Sequence, residues 1–95
     1  MQQLSISNNE QQQQFQAEVD GQLAWLEYRL HDGQIMLMRT EVPAPLGGRG
    51  IGSALAEYAL NYARAQHLPV KVYCPFVATY VRRHPEKQDI VVKSD

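Results

Sequence analysis

Two Asp-Gly pairs, Asp20-Gly21 and Asp32-Gly33, narrow the folds open to this chain more than any other feature. Asp-Gly supplies the positive φ angles that a two-residue hairpin turn needs at both central positions, and each pair is flanked by strand-like segments. The spacing predicts a three-stranded antiparallel meander, with strands near residues 15–19, 22–30 and 34–42. In the middle strand Leu23, Trp25, Tyr28 and Leu30 alternate across two faces, with an irregularity expected near Leu26. Trp25 reads as a core residue rather than a binding platform. Pro43 and Pro45 end the third strand.

The next segment is Glu41-Val42-Pro43-Ala44-Pro45-Leu46-Gly47-Gly48-Arg49-Gly50-Ile51-Gly52. A strand passes through a proline-rich turn into four glycines and then directly into a helix. Glycines let backbone N–H groups approach a ligand without Cβ interference, and a helix start adds free N–H groups and the positive end of its dipole. Such a turn suits a diphosphate; it also serves as a plain strand-to-helix connection.

Beyond it, Ile51, Leu55, Tyr58, Ala59, Tyr62 and Ala63 recur at helical spacing, which predicts an amphipathic helix over residues 51–66 packed on the sheet. His67-Leu68-Pro69 stops it. Val70 to Tyr73 is a short strand, Pro75 suits the first turn of a second helix reaching Arg83, and Ile90-Val91-Val92 offers a last edge strand. Residues 1–14 are polar and read as a flexible lead-in or a weak first strand, ahead of one α+β domain over 15–95.

Ninety-five residues support a single core. A net charge of −1 gives no electrostatic case for nucleic acid or membrane. The lone cysteine, Cys74, has no internal disulfide partner, and neither a signal-peptide pattern nor an apolar run of about 20 residues occurs, so the expected location is cytoplasmic. His31, His67 and His84 lack ligand spacing, so no metal site is expected.

Two nucleotide fingerprints fail on the glycine loop. Gly52 is followed by Ser53-Ala54 with no lysine, unlike a triphosphate-binding loop. Ser53 stands where a dinucleotide fingerprint requires its third glycine, and the strands upstream are antiparallel. A meander, glycine turn, helix, strand and short helix in this order resembles the GNAT acetyltransferase superfamily. Within it the chain looks like small single-domain members carrying Thr40-Glu41-Val42-Pro43, then Leu46-Gly47-Gly48-Arg49-Gly50-Ile51-Gly52, and downstream Cys74-Pro75-Phe76-Val77. The resemblance covers about residues 15–92. Two positions depart from the pattern: Gly47 replaces the basic or amide residue that opens the loop, and Arg39 replaces a histidine.

The resemblance implies acetyl-CoA as co-substrate, bound at Val42, Gly47, Gly48, Arg49, Gly50, Ile51 and Gly52, with the pyrophosphate in the glycine turn and developing negative charge held by backbone N–H near Val42. Arg49 either supplies the charge missing at Gly47 or is a solvated loop cation. By the same resemblance Cys74 lies near the thioester sulfur, as a thiol that protonates the leaving thiolate or accepts the acetyl group, or else as a packed core residue. Tyr80 is the rival proton donor, because a phenol stays protonated near neutral pH. Arg82, Arg83, His84 and Lys87 meet the adenosine phosphates or form a solvated helix end. Glu41 is a candidate base, and strand alternation sends Glu41 and Thr40 to opposite faces.

The expected activity is transfer of an acetyl group to an exposed amine of a protein or polyamine, across an open acceptor site. The alternative is a coenzyme A binding or protein-interaction module that keeps the scaffold without turnover. A third reading is a structural domain whose loop binds nothing.

Overall fold

The computed structural model describes residues 4–92. Four strands come first: β1 (Ile6–Asn9), β2 (Gln14–Val19), β3 (Gln22–His31) and β4 (Gln34–Glu41). A 3₁₀ turn (Ala44–Leu46) leads to α1 (Ile51–Ala65), β5 (Val70–Val72), α2 (Pro75–Arg83) and a second 3₁₀ segment (Pro85–Ile90). One five-stranded sheet runs in sequence order, antiparallel through β4 and parallel between β4 and β5. The mixed α+β architecture agrees with the GNAT-like expectation.

Both Asp-Gly pairs form the anticipated hairpin turns. Asp20 and Asp32 have φ of 53° and 52°, and Gly21 and Gly33 both 74°, the double positive φ of a turn whose twist matches its strands. Residues Ile6–Asn9 pair with β2 from Ala17 back to Gln14.

The irregularity anticipated on β3 near Leu26 lies on its partner. Glu27 pairs with Arg39 and Tyr28 with Leu37, so Met38 of β4 has no opposite residue. A bulge resets the alternation of its strand. Counted without it from buried Leu37, Thr40 would point away from the helices; with it, Thr40 pairs beside buried Leu26 and faces them.

The buried face of β3 is Ala24, Leu26 and Tyr28. Leu23 and Leu30 are exposed, and Trp25 is half-buried on the opposite face rather than in the core. These residues meet Phe15, Ile35 and Leu37 from the sheet and Ile51, Leu55, Ala59, Leu60 and Ala63 from α1. Phe15 stacks on Tyr28 with centroids 4.6 Å apart and takes the edges of Tyr58 and Tyr62 at 5.5 and 5.2 Å. Aromatic contacts of this geometry add to area burial.

Val77, Tyr80 and Val81 bring α2 into the same core, so both helices cover one face of the sheet. After the second 3₁₀ segment the tail makes a single parallel bridge, Val70 with Val91, in place of a full edge strand. Among the described residues no helix is long and apolar enough to cross a membrane.

Candidate active site

Strands β4 and β5 pair from Ile35–Val70 to Leu37–Val72, and one more bond follows, from Tyr73 N–H to the Leu37 carbonyl at 2.9 Å. There they part. Strand β4 continues along β3 to Glu41, while the other chain turns at Cys74 into α2, with Pro75 at its first position. A groove of about 400 Å³ starts at this fork and is lined by Thr40, Val42, Leu46, Gly47, Gly48, Gly50, Ile51, Gly52, Ser53 and Phe76. Among the described residues no ionisable side chain lines it.

The far end of the groove is the start of α1. Gly50, the N-cap, has φ 76° and offers no side chain to the first turn, and Gly48 has φ 79°. Ala54 is the first residue of the turn to donate backward, to the Gly50 carbonyl at 3.0 Å. Among the described residues the N–H groups of residues 48 to 53 have no protein acceptor. Bare N–H groups at a helix start favour an anion.

Gly52 is needed for another reason. A Cβ there would stand 2.8 Å from Cζ of Phe76, whose half-exposed ring lies against the first turn of α1. At the near end, Thr40 Oγ1 and Cys74 Sγ are 3.3 Å apart, across the fork. Cys74 itself is buried at 3% exposure and meets the groove only through Thr40.

The model of the GCN5-related N-acetyl-transferase family matches residues 14–90, from β2 through the second 3₁₀ segment. The chain belongs to this family. Among curated relatives, Protein NATD1 of Mus musculus is 31% identical over 88 residues, and Protein NATD1 of Gallus gallus is 30% identical over the same length. Each alignment covers 90% of this chain and 80% of the relative. GCN5-related N-acetyl-transferases generally use acetyl-CoA.

Six of the seven positions anticipated for cofactor contact on this acetyltransferase fold, Val42, Gly47, Gly48, Gly50, Ile51 and Gly52, line the groove. Arg49 does not. It turns outward and pairs with Asp20 of the β2–β3 turn at 2.8 Å, so the loop's only cation is held away from the bare N–H groups. Gly47 has an ordinary φ of −62°, and a Cβ there would come within 3.2 Å of the Ala44 carbonyl oxygen, so a larger residue would need a small shift.

The three catalytic candidates separate. Cys74 sits at the fork. Glu41 is exposed and lies opposite Trp25 on the other face of the sheet. Tyr80 is buried on α2, its hydroxyl donates to Glu57 Oε2 at 3.4 Å, and its ring stacks on His84 with centroids 4.0 Å apart. Burial first, then the Glu57 carboxylate, pushes its phenol above the ordinary tyrosine range. Of the basic cluster, Arg82 reaches Thr79, Lys87 reaches Asn61, and neither they, Arg83 nor His84 lines the groove.

Two residues of the groove, Thr40 and Phe76, carry no role in the sequence reading. Thr40 depends on the Met38 bulge to face Cys74, and Phe76 on the approach of α2 to Gly52. Both stand inside the quoted motifs, which was their only sequence signal. Among the described residues no cluster of three His, Cys, Asp or Glu side chains is placed to hold a metal.

Proposed function

We propose that this protein is an acetyl-CoA-dependent N-acetyltransferase acting on an exposed amine of a protein or polyamine. The observation that carries the proposal is the run of unpartnered N–H groups from residue 48 to residue 53, opening onto a carboxylate-free groove that ends at Thr40, whose hydroxyl contacts Cys74. Acetyl-CoA would supply an acetyl thioester, with the diphosphate held at Gly48 to Ser53. The match between donors and ligand is chemical: an anion meets backbone dipoles and no competing negative side chain.

The rest of the chemistry falls to the fork. Beyond Leu37, β4 makes no ladder bond to the chain after Tyr73 among the described residues, which leaves the Val42 N–H as a donor for negative charge developing on the thioester oxygen. A neutral amine attacks the carbonyl carbon, a C–N bond forms and the C–S bond breaks. Cys74 gives its S–H proton to the departing sulfur, and the proton shed by the amine passes to water, from which Cys74 is reprotonated. Cys74 is preferred to Tyr80 because it touches a groove-lining residue. Tyr80 is turned toward Glu57, and a phenol pushed upward is a weaker acid. A covalent acetyl-Cys74 route is the lesser variant.

The test is release of coenzyme A thiol on mixing the protein with acetyl-CoA and either spermidine or a lysine-containing peptide. Turnover that falls at least roughly a hundredfold in Cys74→Ala and stays within about threefold of wild type in Tyr80→Phe is expected, the range of one general acid. Turnover lost in Tyr80→Phe and kept in Cys74→Ala would reverse the assignment. Saturable acetyl-CoA binding without turnover on any amine would favour the non-catalytic coenzyme A module, for which the cation-free groove and Gly47 speak.

A further inference from the structure

We infer that Thr40 is the positioning residue for the Cys74 thiol, an inference that rests on the reading of Cys74 as proton donor. Three observations converge on it. The Oγ1 of Thr40 and the Sγ of Cys74 are 3.3 Å apart, within hydrogen-bond reach for sulfur. The contact joins residues 34 positions apart, across the gap where β4 and β5 separate, so it is no product of local chain geometry. The Met38 bulge, which costs a ladder position, is what turns Thr40 toward Cys74 rather than away.

A hydroxyl is suited to this place because its O–H can donate to the sulfur in either protonation state. While Cys74 holds its proton, the Thr40 O–H donates to Sγ and leaves the S–H free to point at the departing sulfur. Once the S–H bond has broken and its proton has gone to the leaving sulfur, the same Thr40 O–H donates to the Cys74 thiolate, as the side-chain partner of that sulfur at the start of α2. Thr40 exchanges no proton with the reactants. Its effect lies in how readily Cys74 releases and recovers one.

The chain's single cysteine gives a direct readout that needs no amine. The rate of iodoacetamide alkylation followed by intact mass across a pH series separates how readily Cys74 becomes a thiolate, which moves the profile along pH, from reagent access to the buried sulfur, which scales it uniformly. Thr40→Val keeps the branched shape and removes the hydroxyl; it is expected to move the profile to higher pH and slow alkylation about tenfold, the scale of one hydrogen bond to a charged group. Thr40→Ser restores the hydroxyl and is expected to alkylate within about threefold of wild type. In turnover Thr40→Val lowers kcat by a similar factor and leaves KM for acetyl-CoA unchanged, as expected for a group that acts only as the proton moves.

Alkylation of Thr40→Val at the wild-type rate, or of Thr40→Ser as slowly as Thr40→Val, overturns the inference. Full turnover in Cys74→Ala overturns it together with the reading beneath it. Loss of turnover in Cys74→Ala with full turnover in Thr40→Val overturns the role of Thr40 alone.

Discussion

The two halves of the sheet use their backbone differently. Strands β3 and β4 stay paired from His31–Gln34 to Trp25–Glu41, whereas β4 and β5 hold together only from Ile35 to Leu37 before they part. The first half is sealed by Phe15, Tyr28, Tyr58 and Tyr62 packed ring against ring. The second half opens into a groove whose wall is a glycine turn with its N–H groups unpaired. Stability is concentrated where backbone groups pair with one another, and ligand capacity where they do not.

The greatest loss of stability is expected in the closed half. Phe15→Ala removes a fully buried ring with three aromatic neighbours, and is expected to lower stability by about 3–5 kcal/mol in denaturant titration. A loss as large from Phe76→Ala, in the open half, would erase the distinction, because Phe76 is half exposed.

Gly52→Ala sharpens it. Stability is expected to stay within about 1 kcal/mol of wild type, since the helix-propensity gain offsets displacement of a half-exposed ring. The displaced Phe76 ring moves across the groove, so acetyl-CoA affinity falls at least roughly tenfold, the equivalent of about 1.4 kcal/mol. Gly52→Ala combined with Phe76→Ala is expected to recover most of that loss by calorimetry. No loss in the single variant would show that the ring stands clear of the ligand path.

Tyrosine titration offers a subtler contrast. Tyr28 and Tyr80 are both pushed above the ordinary range, burial being the first cause in each. In alkali the unfolded chain releases these protons before the folded one does. The stability they contribute is therefore complete below about pH 10 and falls as pH rises through the folded-state values. Tyr80→Phe should show a shallower decline of melting temperature above about pH 10 than wild type. An unchanged slope would mean that Tyr80 titrates alike in both states.

The smallest effect concerns Arg49. Asp20→Asn breaks an exposed ion pair of little stabilising value and frees the loop cation, so affinity for acetyl-CoA rises by about threefold at most, more at low salt. Weaker binding instead would show that Arg49 holds the loop's shape.

The closed half was legible in the sequence because its signals are local. Asp20-Gly21 and Asp32-Gly33 set their turns through their own φ preferences, and α1 through its own spacing of apolar residues. The glycine turn was legible for the same reason. The geometry of the fork was not. Simple alternation from Leu37 sends Thr40 to the wrong face, and only the pairing register with β3 exposes Met38 as the extra residue. Trp25 was misread because apolar character alone does not say which of two faces the helices cover. The Arg49–Asp20 pair and the turn of Tyr80 toward Glu57 join segments distant in sequence, for which no local pattern exists.

On this reading the bare N–H groups at the start of α1 bind the diphosphate of acetyl-CoA. The direct measurement is calorimetric titration with acetyl-CoA of wild type, Gly50→Asn and Gly50→Glu. Asparagine tolerates the positive φ of position 50, and nothing within 4 Å obstructs a side chain there, so Gly50→Asn controls for backbone strain while Gly50→Glu adds negative charge at the donors. Saturable binding by wild type and Gly50→Asn, lost in Gly50→Glu, is the predicted result. A folded wild-type protein that fails to bind acetyl-CoA at concentrations approaching millimolar, or a Gly50→Glu variant that binds as tightly as wild type, would contradict it.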